Sequence, residues 1–155
     1  MRAVVFTFVI LLFLTLSPQM VQAQEQPSAA VIAVAAEQVD WQETEEGFLM
    51  AVLYGDLSSE GHFIMRLKLP PNFEGRPHTH GGTEIVSVHS GTLLLAHGED
   101  LSHEAANSFG PGSLIVLPVG TKMRGFTGED EVILDIQGQG PATTQYLDEE
   151  GDQGN

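Results

Sequence analysis

The chain has 155 residues, 42% of them hydrophobic, a formal net charge of −15 and no cysteine. Such an acidic balance excludes nucleic acid and anionic membrane surfaces as partners, because both are held by basic protein. The missing cysteines exclude disulfides, thiolate metal ligands and a thiol nucleophile, so stability must come from a hydrophobic core.

Arg2 is the only charged residue in 1–23. An apolar run over 3–16, interrupted by Thr7 and Thr15, ends at Ser17-Pro18. Val21 and Ala23 then stand at the −3 and −1 positions of a cleavage site. This is the layout of a secretory signal peptide, and it predicts cleavage after Ala23 and a periplasmic or secreted protein. An uncleaved anchor is the alternative, although the run is short of the roughly 20 residues that span a bilayer. Removing 1–23 leaves five Lys and Arg against 21 Asp and Glu. The mature protein is then a single domain with no membrane attachment, its acid a solvated surface.

Residues 24–38 are rich in Ala and Gln and read as a flexible leader, with a short helix over 29–39 as the alternative. From 39 to 147 the signals are those of strands and turns. Residues 48–54 form an apolar run closed by Gly55-Asp56. Residues 62–69 alternate, with Phe63, Met65, Leu67 and Leu69 on one face and His62, Ile64, Arg66 and Lys68 on the other. Further strands are expected over 84–88, 92–97, 114–117 and 132–137, each bounded by Gly, Pro or Asp. Residues 148–155 are acidic and read as a disordered tail. No long amphipathic helix and no repeat appears, so the fold class is all-β, an antiparallel sandwich or barrel.

The chemistry is concentrated in Pro77-His78-Thr79-His80-Gly81-Gly82-Thr83-Glu84. In an extended chain residues i and i+2 share a face, so His78 and His80 present two imidazoles side by side. Gly81-Gly82 frees the backbone to bring Glu84 toward the same point. Two His and one carboxylate with open positions suit non-heme iron and related divalent metals. No serine lies in a Gly-x-Ser-x-Gly setting, and no phosphate-cradling loop or zinc-finger spacing occurs.

Two blocks resemble the cupin superfamily. His78-Thr79-His80-x3-Glu84-x6-Gly91 is similar to the core of the first cupin motif, and Gly112-x5-Pro118-x-Gly120 to the start of the second. Phe63-x-Met65-Arg66-Leu67-Lys68-Leu69-Pro70-Pro71 and Gly138-x-Gly140-Pro141 look like a subgroup of small, exported, single-domain bacterial cupins. The resemblance implies one jelly-roll β-barrel over 39–147, a metal inside one mouth, and a turn at Gly91 between two strands. It implies a divalent cofactor (Fe, Mn, Zn, Ni or Cu) on His78, His80 and Glu84, a small-molecule ligand or substrate, and a homodimer. Dioxygenase, isomerase and decarboxylase activities all occur in the family.

The chain departs from the motifs at two points. Asn72 stands where the first block usually begins with glycine, and Met123 stands at the fourth ligand, usually histidine. Three outcomes follow: a three-ligand metal site, a site capped weakly by Met123, or a non-catalytic module that binds a small ligand or serves a structural role with a degenerate metal site. Met123 is equally suited to filling a core. Gln137 and His97 are candidate substrate contacts, and Asp135 a candidate aid to the metal. Alternation along 132–137 instead places Asp135 and Gln137 opposite the apolar residues, facing solvent. No catalytic residue is assigned.

Overall fold

A computed structural model describes residues 30–147. The signal-peptide reading, residues 24–29 of the leader and the acidic tail lie outside the described residues. Of the helix allowed over 29–39, only a single 3-10 turn forms, at Ala36–Gln38.

Eleven short strands make two antiparallel sheets. In chain order they are β1 (Gln42–Glu43), β2 (Leu49–Tyr54), β3 (Gly61–Leu69), β4 (His78–His80), β5 (Glu84–Ser90), β6 (Leu93–His97), β7 (Asn107–Phe109), β8 (Leu114–Leu117), β9 (Met123–Thr127), β10 (Val132–Gly140) and β11 (Thr144–Tyr146). The six-stranded sheet runs β1-β2-β3-β10-β5-β8 and the five-stranded sheet β11-β4-β9-β6-β7. From β3 onward the chain alternates between sheets, apart from the β6–β7 pair, as in a jelly roll.

Alternation explains which faces meet. Along β3, Phe63, Met65 and Leu69 are buried. Their neighbours on β10, Val132, Leu134 and Ile136, are buried with them. Val86 and Val88 from β5 and Leu93 and Leu95 from β6 complete the same cluster. Phe126 is buried at 1% exposure, in keeping with core packing.

β10 is longer than its sequence suggests. The run Gly138-Gln139-Gly140 reads as a turn, yet these residues stay in the ladder opposite Phe63, His62 and Gly61. The reason is steric. A Cβ on Gly138 would lie 2.6 Å from Phe63 Cζ, so glycine is what lets the strand pass over the aromatic ring.

Asp135 does not assist a metal. It sits on the outer face of β10, where Arg66 grips it through Nε at 2.6 Å and a second nitrogen at 2.9 Å. His89 Nε2 lies 2.8 Å from the same carboxylate. Burial alone would raise the Asp135 pKa, but the hydrogen bonds from Arg66 and His89 outweigh it and hold it below the ordinary 3.8. The network therefore stabilises the fold above that value, and the contribution is lost as pH falls through the lower folded-state pKa. Asp135→Asn should cost about 2 kcal/mol at neutral pH. Denaturant unfolding of both proteins should show the gap closing below pH 3.8.

Candidate functional site

A cavity of about 380 Å³ lies between the sheets. Its walls include the inward apolar side chains of β3, β5, β6 and β10, which are apolar for the same reason that the core is. Polar groups gather at one end, where His78, His80, Glu84, Thr144 and Tyr146 line it.

β4 is three residues long and carries both histidines on one face. It pairs with β11, setting Thr144 opposite His80 and Tyr146 opposite His78, and meets β9 where His78 faces Met123. Gly81-Gly82-Thr83 then carries the chain across to the other sheet. Glu84, the first residue of β5, enters the cavity between Gly138 and Leu117.

The expected gathering is present in part. The His78 and His80 rings lie 4.8 Å apart between centroids, edge to face at 81°. His80 Nε2 lies 3.4 Å from Glu84 Oε2. The two are close but not aligned as a hydrogen bond, and Glu84 Oε2 is a buried oxygen with no hydrogen-bond partner. Among the described residues, no three His, Cys, Asp or Glu side chains are already arranged to hold one metal ion. The donors are assembled at one end of the cavity without being closed around a point.

Protonation follows from these surroundings. His78 Nδ1 lies 2.7 Å from the Arg76 carbonyl. A carbonyl only accepts, so Nδ1 carries the hydrogen and Nε2 is left to face another partner. Burial and the neighbouring His78 push the His80 pKa down to about 4, a contact with Thr143 opposing weakly. Burial pushes the Glu84 carboxyl up to about 7. In mildly acidic solution both groups are therefore neutral, an imidazole that accepts and a carboxylic acid that donates.

The other candidates fall in different places. Met123 is buried at 4% exposure and lines the cavity as part of the core. Gln137 is exposed on the outer face of β10 and does not line the cavity, because alternation turns it away. His97 shares the parity of Leu93 and Leu95, but it is exposed at the end of β6 and also stays outside the lining. Neither lines this cavity.

Three mouth residues escaped the sequence reading. The Tyr146 hydroxyl donates to Glu46, a bond that raises its pKa further than burial does. The Arg76 guanidinium stacks 4.0 Å over the Tyr146 ring. For Arg76 there was a signal, since it stands two residues before His78 and four before His80. Tyr146 and Glu46 had none, because only the folded chain brings β11 to the β1–β2 turn.

No family model matches the chain, and no curated protein matches it. Solved structures do. The polyketide cyclase RemF from Streptomyces resistomycificus superposes with a TM-score of 0.63 at 18% identity, over 77% of this chain and 89% of that one. A sugar phosphate isomerase of the cupin superfamily from Silicibacter pomeroyi gives 0.61 at 16%, over 75% and 82%. The DMSP lyase DddQ from Ruegeria pomeroyi gives 0.61 at 17%, over 83% and 75%. At these identities the likeness is one of fold.

Proposed function

We propose, on the premise that this chain has the cupin fold, that it binds a small molecule between its sheets and one divalent metal ion through His78, His80 and Glu84. One observation carries the reading: a carboxylate oxygen of Glu84 is buried without a hydrogen-bond partner, 3.4 Å from an imidazole nitrogen. Burying such a group unpaired is costly, and buried carboxylates are normally paired or bound to metal. The donor chemistry fits, since the His80 pKa is pushed down to about 4 and the Arg76 carbonyl occupies only Nδ1 of His78. Small side-chain rotations would close the set.

When bound, the metal would act as a Lewis acid on an oxygen of the ligand. The chain does the rest. The apolar walls lower the local dielectric, which strengthens polar interactions at the polar end. Met123, opposite His78 in the ladder and buried, adds an apolar wall beside the site. The neighbours of similar fold include a cyclase, an isomerase and a lyase, which supports an enzyme acting on a small molecule. Export through residues 1–23 belongs to the same proposal. So does homodimer formation, supported by the edge strand β8, whose Leu114 and Val116 are 65% and 54% exposed.

Metal analysis of untagged protein, offered Fe, Mn, Zn, Ni and Cu separately, tests the site. The expected result is one ion per chain, lost in His80→Ala. A parent protein that retains no metal after repletion would sink it.

A second reading has its own support in the open arrangement of the donors and in Met123. There the barrel binds its ligand without metal. It expects alanine at His78 and Glu84 to leave ligand affinity nearly unchanged, which calorimetry decides.

A further inference from the structure

We infer that the ligand is an apolar carboxylate whose charged end is held by Arg76 at the cavity mouth. The inference rests on the cavity being a small-molecule site, and it adds the ligand's chemical class.

The argument begins with charge. The described residues hold five cations. Arg66 has Asp135 at 2.6 Å, Lys68 has Glu131 at 3.8 Å, Lys122 has Glu99 at 3.0 Å and Arg124 has Glu74 at 3.3 Å. Arg76 alone has no carboxylate within 4 Å among the described residues. Among the described cations, Arg76 is the exception.

Its contact with Tyr146 sharpens the point. The guanidinium carbon lies 4.0 Å over the ring centre, a cation–π contact that holds the side chain in place. The N–H donors lie in the plane, at the edges, and form no hydrogen bond with any described residue. That leaves a planar fork oriented by an aromatic ring, the geometry that recognises a carboxylate through two parallel bonds.

Acids share the mouth, but two are already committed. Glu46 accepts from Tyr146, and Glu74 is bound by Arg124. Glu45, exposed on the β1–β2 turn, is the third. Behind Arg76 the cavity becomes apolar, with Met50, Leu57, Met65, Leu67 and Ile136 on its walls. A ligand with one anionic end and an apolar body matches that order, its carboxylate at the polar end near the histidines and its body along the apolar walls.

Calorimetry on the mature protein tests this, with hexanoate and phenylacetate as probes against hexanamide, phenylacetamide and hexylamine, all in chelator. Each acid should bind about tenfold tighter than its amide. Arg76→Gln should bring the acid down to the level of the amide and leave the amide unchanged. Arg76→Lys should retain part of the preference. Equal binding of acid and amide, a preference that survives Arg76→Gln, tighter binding of the amine, or no binding by any probe would each overturn the inference. Repeating the titration with zinc separates the two proposals. An acid preference seen only with zinc and indifferent to Arg76 places the carboxylate on the metal, keeping the metal site and ending this inference. A preference that depends on Arg76 in a protein that holds no metal does the reverse.

Discussion

Glu84→Gln is expected to stabilise the metal-free protein by about 3 kcal/mol at pH values above 7. The Glu84 carboxyl has its pKa moved from 4.5 to about 7 by burial, and at 4% exposure little solvent remains to screen it. Each tenfold change in proton affinity is worth about 1.4 kcal/mol. The sign is the reverse of the ordinary carboxylate. The unfolded chain loses this proton near 4.5, whereas the folded chain keeps it until about 7. Stability therefore falls as pH rises through that window, and above it the folded protein carries the full penalty of a buried charge. Glutamine matches the neutral acid in size and polarity and has no such penalty. Below pH 4.5 the two proteins should converge. Saturating metal should invert the order, because a cation stabilises the carboxylate and glutamine is a poor substitute for it. Denaturant unfolding at the two pH values, with chelator and with metal, gives four numbers. Equal stability at high pH in chelator would mean that Glu84 does not hold a buried charge.

The second large effect lies away from the site. Gly91→Ala should cost about 3 kcal/mol or more. Gly91 turns the chain from β5 into β6 with φ of +70°, where a side chain is strained. A Cβ there would also press into the Glu131 carbonyl and come within 3.0 Å of Val132 Cα. Val132 is completely buried, so the obstruction is backbone with no room to retreat. Gly98 provides the control. Its φ is +93°, yet a Cβ on it meets nothing within 4 Å. Gly98→Ala should therefore show the conformational term alone, about 1 kcal/mol. Thermal unfolding of both variants separates strain from collision. A Gly91→Ala protein as stable as Gly98→Ala would refute the steric account.

The parts of the fold that sequence reveals are those where packing leaves a periodic trace. β3 alternates because one face is core and the other is wet, and β5, β6, β8 and β10 are apolar runs for a similar reason. β7, β9 and β11 left no trace. Thr144, Gln145 and Tyr146 are all exposed, so β11 has no apolar phase to read. β9 contains Arg124 and Gly125, which suggest a turn, yet it lies in the middle of its sheet. At the site, spacing of two places His78 and His80 on one face of an extended strand. The cavity mouth was hidden because Glu46, Arg76 and Tyr146 come from three distant stretches. Alternation also assigned Asp135 and Gln137 to the outer face correctly, but it carries no information about pairing, so the grip of Arg66 on Asp135 was invisible.

The crossing at Gly81-Gly82-Thr83 has a wider consequence. It places the imidazoles on one sheet and the carboxylate on the other, with only three residues between His80 and Glu84. β4 is secured to β9 by a single aligned pair and to β11, itself an edge strand. The strand that bears the chemistry is thus among the least tethered in the molecule, and its tie to the opposite sheet runs through Glu84. Whatever occupies the space between His80 and Glu84 acts as a rivet between the halves of the sandwich. The spacing of the two sheets and the state of the site become one mechanical variable.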